Sequence, residues 1–178
     1  MIKKIEANLR EFVYGGMDGA VTTFAVVTGA AGANLGINVI LILGYANVFA
    51  DGFSMAVGSY LSEKSDQDLS VSKGNSEKDD HDSPLAASVA TFVSFILVGF
   101  VPLSMYTVDY VFSLDLDTSV LLQSSVVLTL SAFVLIGYLR GAITKISRKR
   151  AIIESFGLGA AAAIISYAVG SFLESIIG

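Results

Sequence analysis

Residues 36–61 read GINVILILGYANVFADGFSMAVGSYL, a long apolar run in which Asp51 is the only charged residue. A helix that crosses a bilayer needs about 20 predominantly apolar residues to span roughly 30 Å of hydrocarbon, and this stretch is long enough. An aspartate inside such a segment costs on the order of 2.5–3.5 kcal/mol even on the lenient insertion scale. Asp51 therefore calls for a compensating partner, and for a function that would keep it there.

Four more stretches have the same character. With the first they define spans at Phe12–Ala33, Gly36–Leu61, Leu85–Tyr106, Val120–Leu139 and Ile152–Ile176. The chain is 53% hydrophobic and 15% charged, against about 25% charged in an average soluble domain, and its mean hydropathy is +0.69. Strands of a membrane barrel would alternate apolar and polar residues, and these runs do not. The expected fold is an all-α membrane protein, one domain over residues 1–178 with five transmembrane helices. The first two form a tight hairpin through residues 32–38.

The positive charges set the orientation. Lys3, Lys4 and Arg10 precede the first span; Lys64, Lys73 and Lys78 follow the second; Arg140, Lys145, Arg148, Lys149 and Arg150 lie between the last two. All 11 Lys and Arg residues thus fall on one side of a five-span topology. The other side carries Asp109, Asp115, Asp117 and Glu174. The positive-inside rule makes the N-terminus cytoplasmic and the C-terminus external. Residues 62–84, SEKSDQDLSVSKGNSEKDDHDSP, read as a solvated cytoplasmic loop. The opening MIKKIEANLREF has no cleavable apolar core and reads as a short amphipathic lead-in. A prokaryotic plasma membrane is the expected location.

Composition excludes several chemistries. There is no Cys and one His, His81, in the polar interval, so disulfides, thiolate metal sites and a Ser-His-Asp triad are out of reach. No nucleophile–base pair is visible, and the chain is not expected to be an enzyme. No resident cofactor and no nucleic-acid partner are expected.

The polar residues inside the spans are arranged in stripes. Asn47, Asp51 and Met55 stand at i, i+4 and i+8 on the second span, with Ser54, Gly58 and Ser62 near the same face. On the first span Asp18 and Thr22 are one turn apart, beside Gly15 and Gly19. Because a hairpin runs antiparallel, Asp18 and Met55 come to similar depth, with Asp51 about one turn deeper. Gly15-x-x-x-Gly19 and Ala25-x-x-x-Gly29 are spacings that let helices approach closely. Carboxylates, a carboxamide and hydroxyls suit hard divalent cations, and a thioether adds a softer ligand that favours transition metals. Fe²⁺ and Mn²⁺ fit this set best. Blander readings stand beside it: Met55 as packing, Asn47 as a helix–helix hydrogen bond, Asp18 as an acceptor for Arg10 or a backbone amide. Asp51 has no Lys or Arg in any span to neutralise it. Rival classes are a proton-coupled exporter of small organic cations and a non-transporting membrane scaffold.

At these residues the sequence resembles the vacuolar iron transporter family. DGAVTTFAVVTGAAGA (18–33) is similar to the family's first-helix pattern, and FADGFSMAVGSYLSEKSDQD (49–68) to its second. GYLRGAITKISRKRAIIESFGLGAAAAIISYAVG (137–170) resembles its basic loop and fifth helix. The resemblance implies a five-helix protomer, a homodimer, and a path for Fe²⁺ and often Mn²⁺ lined by helices 1 and 2 at the dimer interface. Export from the cytosol would be coupled to proton entry. Asp18 matches the family's first-helix aspartate and Met55 its second-helix methionine, with Asp51, Asn47 and Thr22 completing the expected metal path. Asn47 stands where many members have glutamate, and Asp51 where they commonly have glycine. Plant-type members also carry a metal-binding domain where this chain has only residues 62–84. Two carboxylates and one Met are too few for a six-coordinate ion without water, and pairing two copies doubles the set. Partners expected are thus a second copy, the bilayer, divalent metal ions and protons.

Overall fold

The computed structural model describes residues 2–73, 83–144 and 146–177, with side chains from residue 9 onward. Six helices follow in order: α1 (Ile2–Gly32), α2 (Ile37–Ser72), α3 (Pro84–Gly99), α4 (Ser104–Phe112), α5 (Thr118–Ile143) and α6 (Arg148–Ile177). Among the described residues there is no strand. Three helices, α2, α5 and α6, are long and apolar enough to cross a membrane, and α3 with α4 makes a fourth candidate bent by 61°. At 31 residues α1 spans about 46 Å. Its glycines, threonines and Asp18 lower its apolar character, and it is not among the three.

Local chemistry explains the breaks. The α1–α2 turn closes with Asn34 in the left-handed conformation, φ 51°. The Leu35 amide donates to the Ala30 carbonyl at 3.0 Å and that of Asn34 to Ala31 at 3.1 Å. This is the Schellman arrangement, which satisfies carbonyls that a helix end leaves open. The third span, expected as one helix over Leu85–Tyr106, is instead broken between Gly99 and Ser104. Pro102 lacks an N–H and cannot continue the ladder, and Ser125 on α5 donates to its carbonyl at 2.6 Å. The interval expected as a loop from Ser62 begins as helix, because α2 continues to Ser72. Residues 62–73 contain no Gly or Pro to stop it. Glu77, Asp79, Asp80, His81 and Asp82, considered above as loop residues, lie outside the described residues, as does Lys78.

Helix α1 sits at the centre. Gly15 and Gly19 lie against the Thr91 and Phe95 backbone of α3, where an added Cβ would collide with main-chain oxygen. Further along, Gly32 meets Tyr167 of α6, and Gly170 of α6 packs on the Gly29 carbonyl. The α1–α3 positions rise together, and along α1 Met17 lies beside Leu158 and Thr28 beside Tyr167, so α1, α3 and α6 run parallel. Gly137 and Gly141 of α5 meet Ile152 and Arg148 of α6 in the opposite sense. Gly44 and Gly52 of α2 meet Leu103 and Phe95, also antiparallel. Two clusters fill the interior: Val27, Ile40, Val48, Leu103, Tyr106 and Leu121 in one half, and Ala20, Phe24 and Phe133 in the other. The helix directions gather the ends bearing Arg10, Lys64, Arg140 and Arg148 at one end of the bundle. Asp109, Asp115 and Asp117 lie at the other, where buried Asp109 accepts from the Leu116 amide at 2.9 Å.

Gly19→Ala should lower stability by about 1–3 kcal/mol through overpacking, whereas Gly58→Ala, inside α2 with nothing near its Cβ position, should not lower it and by helix propensity should raise it by up to about 1 kcal/mol. Thermal unfolding in detergent measures both, and equal melting temperatures for the two variants would contradict the packing described.

Candidate functional site

The polar stripes of α1 and α2 meet because the hairpin brings the two helices together antiparallel. Asp18 and Asp51 are close enough across this seam to interact electrostatically. Two like charges in a poorly screened setting repel, and a divalent cation between them would relieve that repulsion.

A cavity of about 590 Å³ opens beside them at the basic end of the bundle. Met55 lines it together with Glu11, Tyr14, Ser59 and Glu63. Asp18 lies one turn beyond Tyr14 along α1, and Asp51 one turn beyond Met55 along α2, both towards the middle of the bundle. The two aspartates thus sit past the inner end of the cavity.

The remaining expected residues are placed differently. The Thr22 hydroxyl donates to the backbone carbonyl of Asp18 at 2.9 Å, a helix-internal bond. Asn47, one turn deeper than Asp51, has its Nδ2 buried with no protein partner, an arrangement that costs about 1–3 kcal/mol. Arg10 pairs with Glu11 at 3.6 Å, not with Asp18. Among the described residues, no three His, Asp or Glu side chains converge closely enough to hold a metal by themselves.

Two acidic residues of the cavity were not singled out from sequence. Glu11 is only 15% exposed, and the Thr91 hydroxyl of α3 lies 3.1 Å from its carboxylate and 3.5 Å from the Ser59 hydroxyl. Glu63 lies on the part of α2 that was expected to be loop. The signal was present: Glu11 precedes Asp18 by seven residues, and Ser59 and Glu63 follow Met55 by four and eight. These spacings keep each on the same helical face as the residue already noted.

Fold and cavity together define a multi-pass helical membrane protein whose first two helices share a carboxylate- and thioether-bearing seam. The sequence model of the VIT family matches residues 9–83 and 69–171, and the chain belongs to the VIT family. The family is made up of transporters, not enzymes. Over 61 residues the chain is 41% identical to a protein named vacuolar iron transporter from Toxoplasma gondii, covering 34% of this chain and 20% of the relative. It is 32% identical over 101 residues to vacuolar iron transporter homolog 4 of Arabidopsis thaliana, covering 53% and 51%. Vacuolar iron transporter 1 of Tulipa gesneriana is 23% identical over 223 residues, covering 94% of this chain and 88% of its own length. The chain thus spans about half or less of the first two relatives.

Because the chain contains no Cys, single cysteines can probe the cavity. Met55→Cys and Ser59→Cys should react with a charged, water-soluble thiol reagent, while Val48→Cys and Ala56→Cys, at 0% and 7% exposure, should not. Mass spectrometry reads the labelling, and equal reaction at Ala56→Cys and Met55→Cys would rule the cavity out.

Proposed function

We propose that the protein exports Fe²⁺, and also Mn²⁺, from the cytosol in exchange for protons, along a path between α1 and α2. The observation that carries this reading is the cavity at the basic end, with Met55 in its wall and the Asp18–Asp51 pair just beyond. Metal would enter past Glu63 and Glu11, meet Met55 and Asp18, and pass to Asp51 and Asn47. Thr22 contributes by fixing the backbone at Asp18. Mixed carboxylate and thioether ligands bind borderline divalent ions without the grip of His or Cys, and a carrier must release what it binds. A carboxylate that holds metal in one step can hold a proton in the next, which supplies the exchange.

The topology we infer has five crossings: α1, α2, α3 with α4, α5 and α6. Its support is the alternation of helix directions, with α1 packed along α3 and α6. Gathering the basic residues at one end then places the N-terminus in the cytosol. A second copy is part of the proposal, because one protomer offers too few converging ligands. Phe49 and Phe53, 51% and 66% exposed beside Asp51 on α2, give such a partner an apolar face to cover.

The organic-cation alternative needs aromatic rings free to face the acid. Tyr45 is committed elsewhere, its hydroxyl 2.6 Å from that of Thr107 and its ring on Phe100. Among the described residues the cavity wall holds one ring, Tyr14, short of the aromatic cage such a cation takes. A scaffold has no use for a cavity of this size with Glu11 and Glu63 in its wall.

Metal uptake into proteoliposomes tests the proposal. Wild type should move Fe²⁺ and Mn²⁺ faster under an opposing proton gradient. Asp18→Asn and Met55→Ala should each slow transport on the order of tenfold or more, the scale at which lost metal-site contacts act, and Asp51→Asn should lose the response to the gradient. Wild type that moves neither ion under any gradient would overturn the reading.

A further inference from the structure

A second cavity adjoins the first across Arg10 and Tyr14, between α1, α5 and α6, at the same basic end of the bundle. It holds about 330 Å³, within the range of small-ligand pockets. Its wall is built from Val13, Met17, Ile136, Ile143 and Leu158, and two arginines from different helices, Arg10 and Arg140, stand at it. An apolar interior beneath paired guanidinium groups matches one kind of ligand, an acyl chain carrying an anionic head.

The local charge balance supports that match. Arg140 pairs with Glu154 at 3.1 Å, but the same carboxylate accepts from Arg150 at 2.8 Å. Arg10 has Glu11 at 3.6 Å, and Glu11 also takes the Thr91 hydroxyl. Arg148 lies over the Tyr138 ring, 4.8 Å from its centre, and Lys149 adds a further positive charge. Among the described residues, five basic side chains thus stand at this corner with three carboxylates, Glu11, Glu63 and Glu154, and negative charge from outside the protein completes the balance. Arginines at helix ends commonly reach for the interface without a specific ligand. Here two of them, from α1 and α5, share one crevice with an apolar wall.

We propose that this crevice binds one anionic phospholipid per protomer, its phosphate between Arg10 and Arg140 and an acyl chain along Met17, Ile136 and Leu158. Basic pockets between membrane helices are suited to such head groups. The proposal rests on the membrane-spanning reading; Arg10 and Tyr14 are walls of both cavities, so the test is made without metal.

Native mass spectrometry of protein released from nanodiscs of phosphatidylcholine with a minority of phosphatidylglycerol provides the test, with no metal present. Wild type should retain one phosphatidylglycerol in preference to phosphatidylcholine. Arg10→Gln/Arg140→Gln should lose the preference, and Lys64→Gln/Lys73→Gln, with the same change in net charge, should keep it. Leu158→Trp, which fills the crevice from an exposed position (61%) and spares both arginines, should lose it too. Equal loss in both charge variants would reduce the effect to bulk electrostatics and overturn the site. So would full retention in Leu158→Trp, or displacement of the lipid by inorganic phosphate alone, which would make it a soluble-anion site.

Discussion

The close approach of α1 to α3 and α6 is the contact on which the rest depends. Through Gly15, Gly19, Gly29 and Gly32 its backbone touches neighbouring backbones or is held within van der Waals reach of them, a kind of packing that apolar surroundings favour because lipid gives helices no hydrophobic reason to associate. It is the helix with the most to hide: Asp18 and three threonines, of which Thr22 and Thr28 satisfy themselves on carbonyls one turn back. Enclosing α1 on several sides lets it carry polar groups that would be costly facing lipid. Those groups then line the seams between helices, where the cavities lie.

The seam with α2 has an electrostatic logic. Asp18 and Asp51 lie close enough across it to repel each other, and Arg10 is engaged with Glu11. A scaffold gains nothing from such a pair, because replacing buried charge by apolar side chains is often neutral or stabilising. Under the proposed metal path, a divalent ion between the two carboxylates would relieve their repulsion. The cavity at the basic end, with two further carboxylates in its wall, stops about one helical turn short of this pair.

Much of this was legible in the sequence, for identifiable reasons. The apolar runs gave the helices, the glycine spacings gave their close faces, and the distribution of Lys and Arg gave the shared end. Hydropathy could not see what happens once a helix leaves apolar surroundings. Residues 62–73 are as polar as a loop yet continue α2, and Glu63 was lost from view with them. Pro102 was readable as a break, but the apolar run through Leu85–Tyr106 masked it, and only the tertiary bond from Ser125 shows how the break is tolerated. Glu11 fell outside the first span by one residue and so was not weighed with Asp18. Its burial comes from Thr91, eighty residues away, a contact that no local pattern encodes.

The central claim is that the α1–α2 seam binds a divalent metal through Asp18. Titration of the purified protein with Mn²⁺, followed by electron paramagnetic resonance, measures this directly, because bound Mn²⁺ loses the sharp signal of the free ion. Wild type should remove Mn²⁺ from the free pool at saturable stoichiometry, and Asp18→Asn should leave it largely free. Identical titration curves for the two proteins would contradict the account.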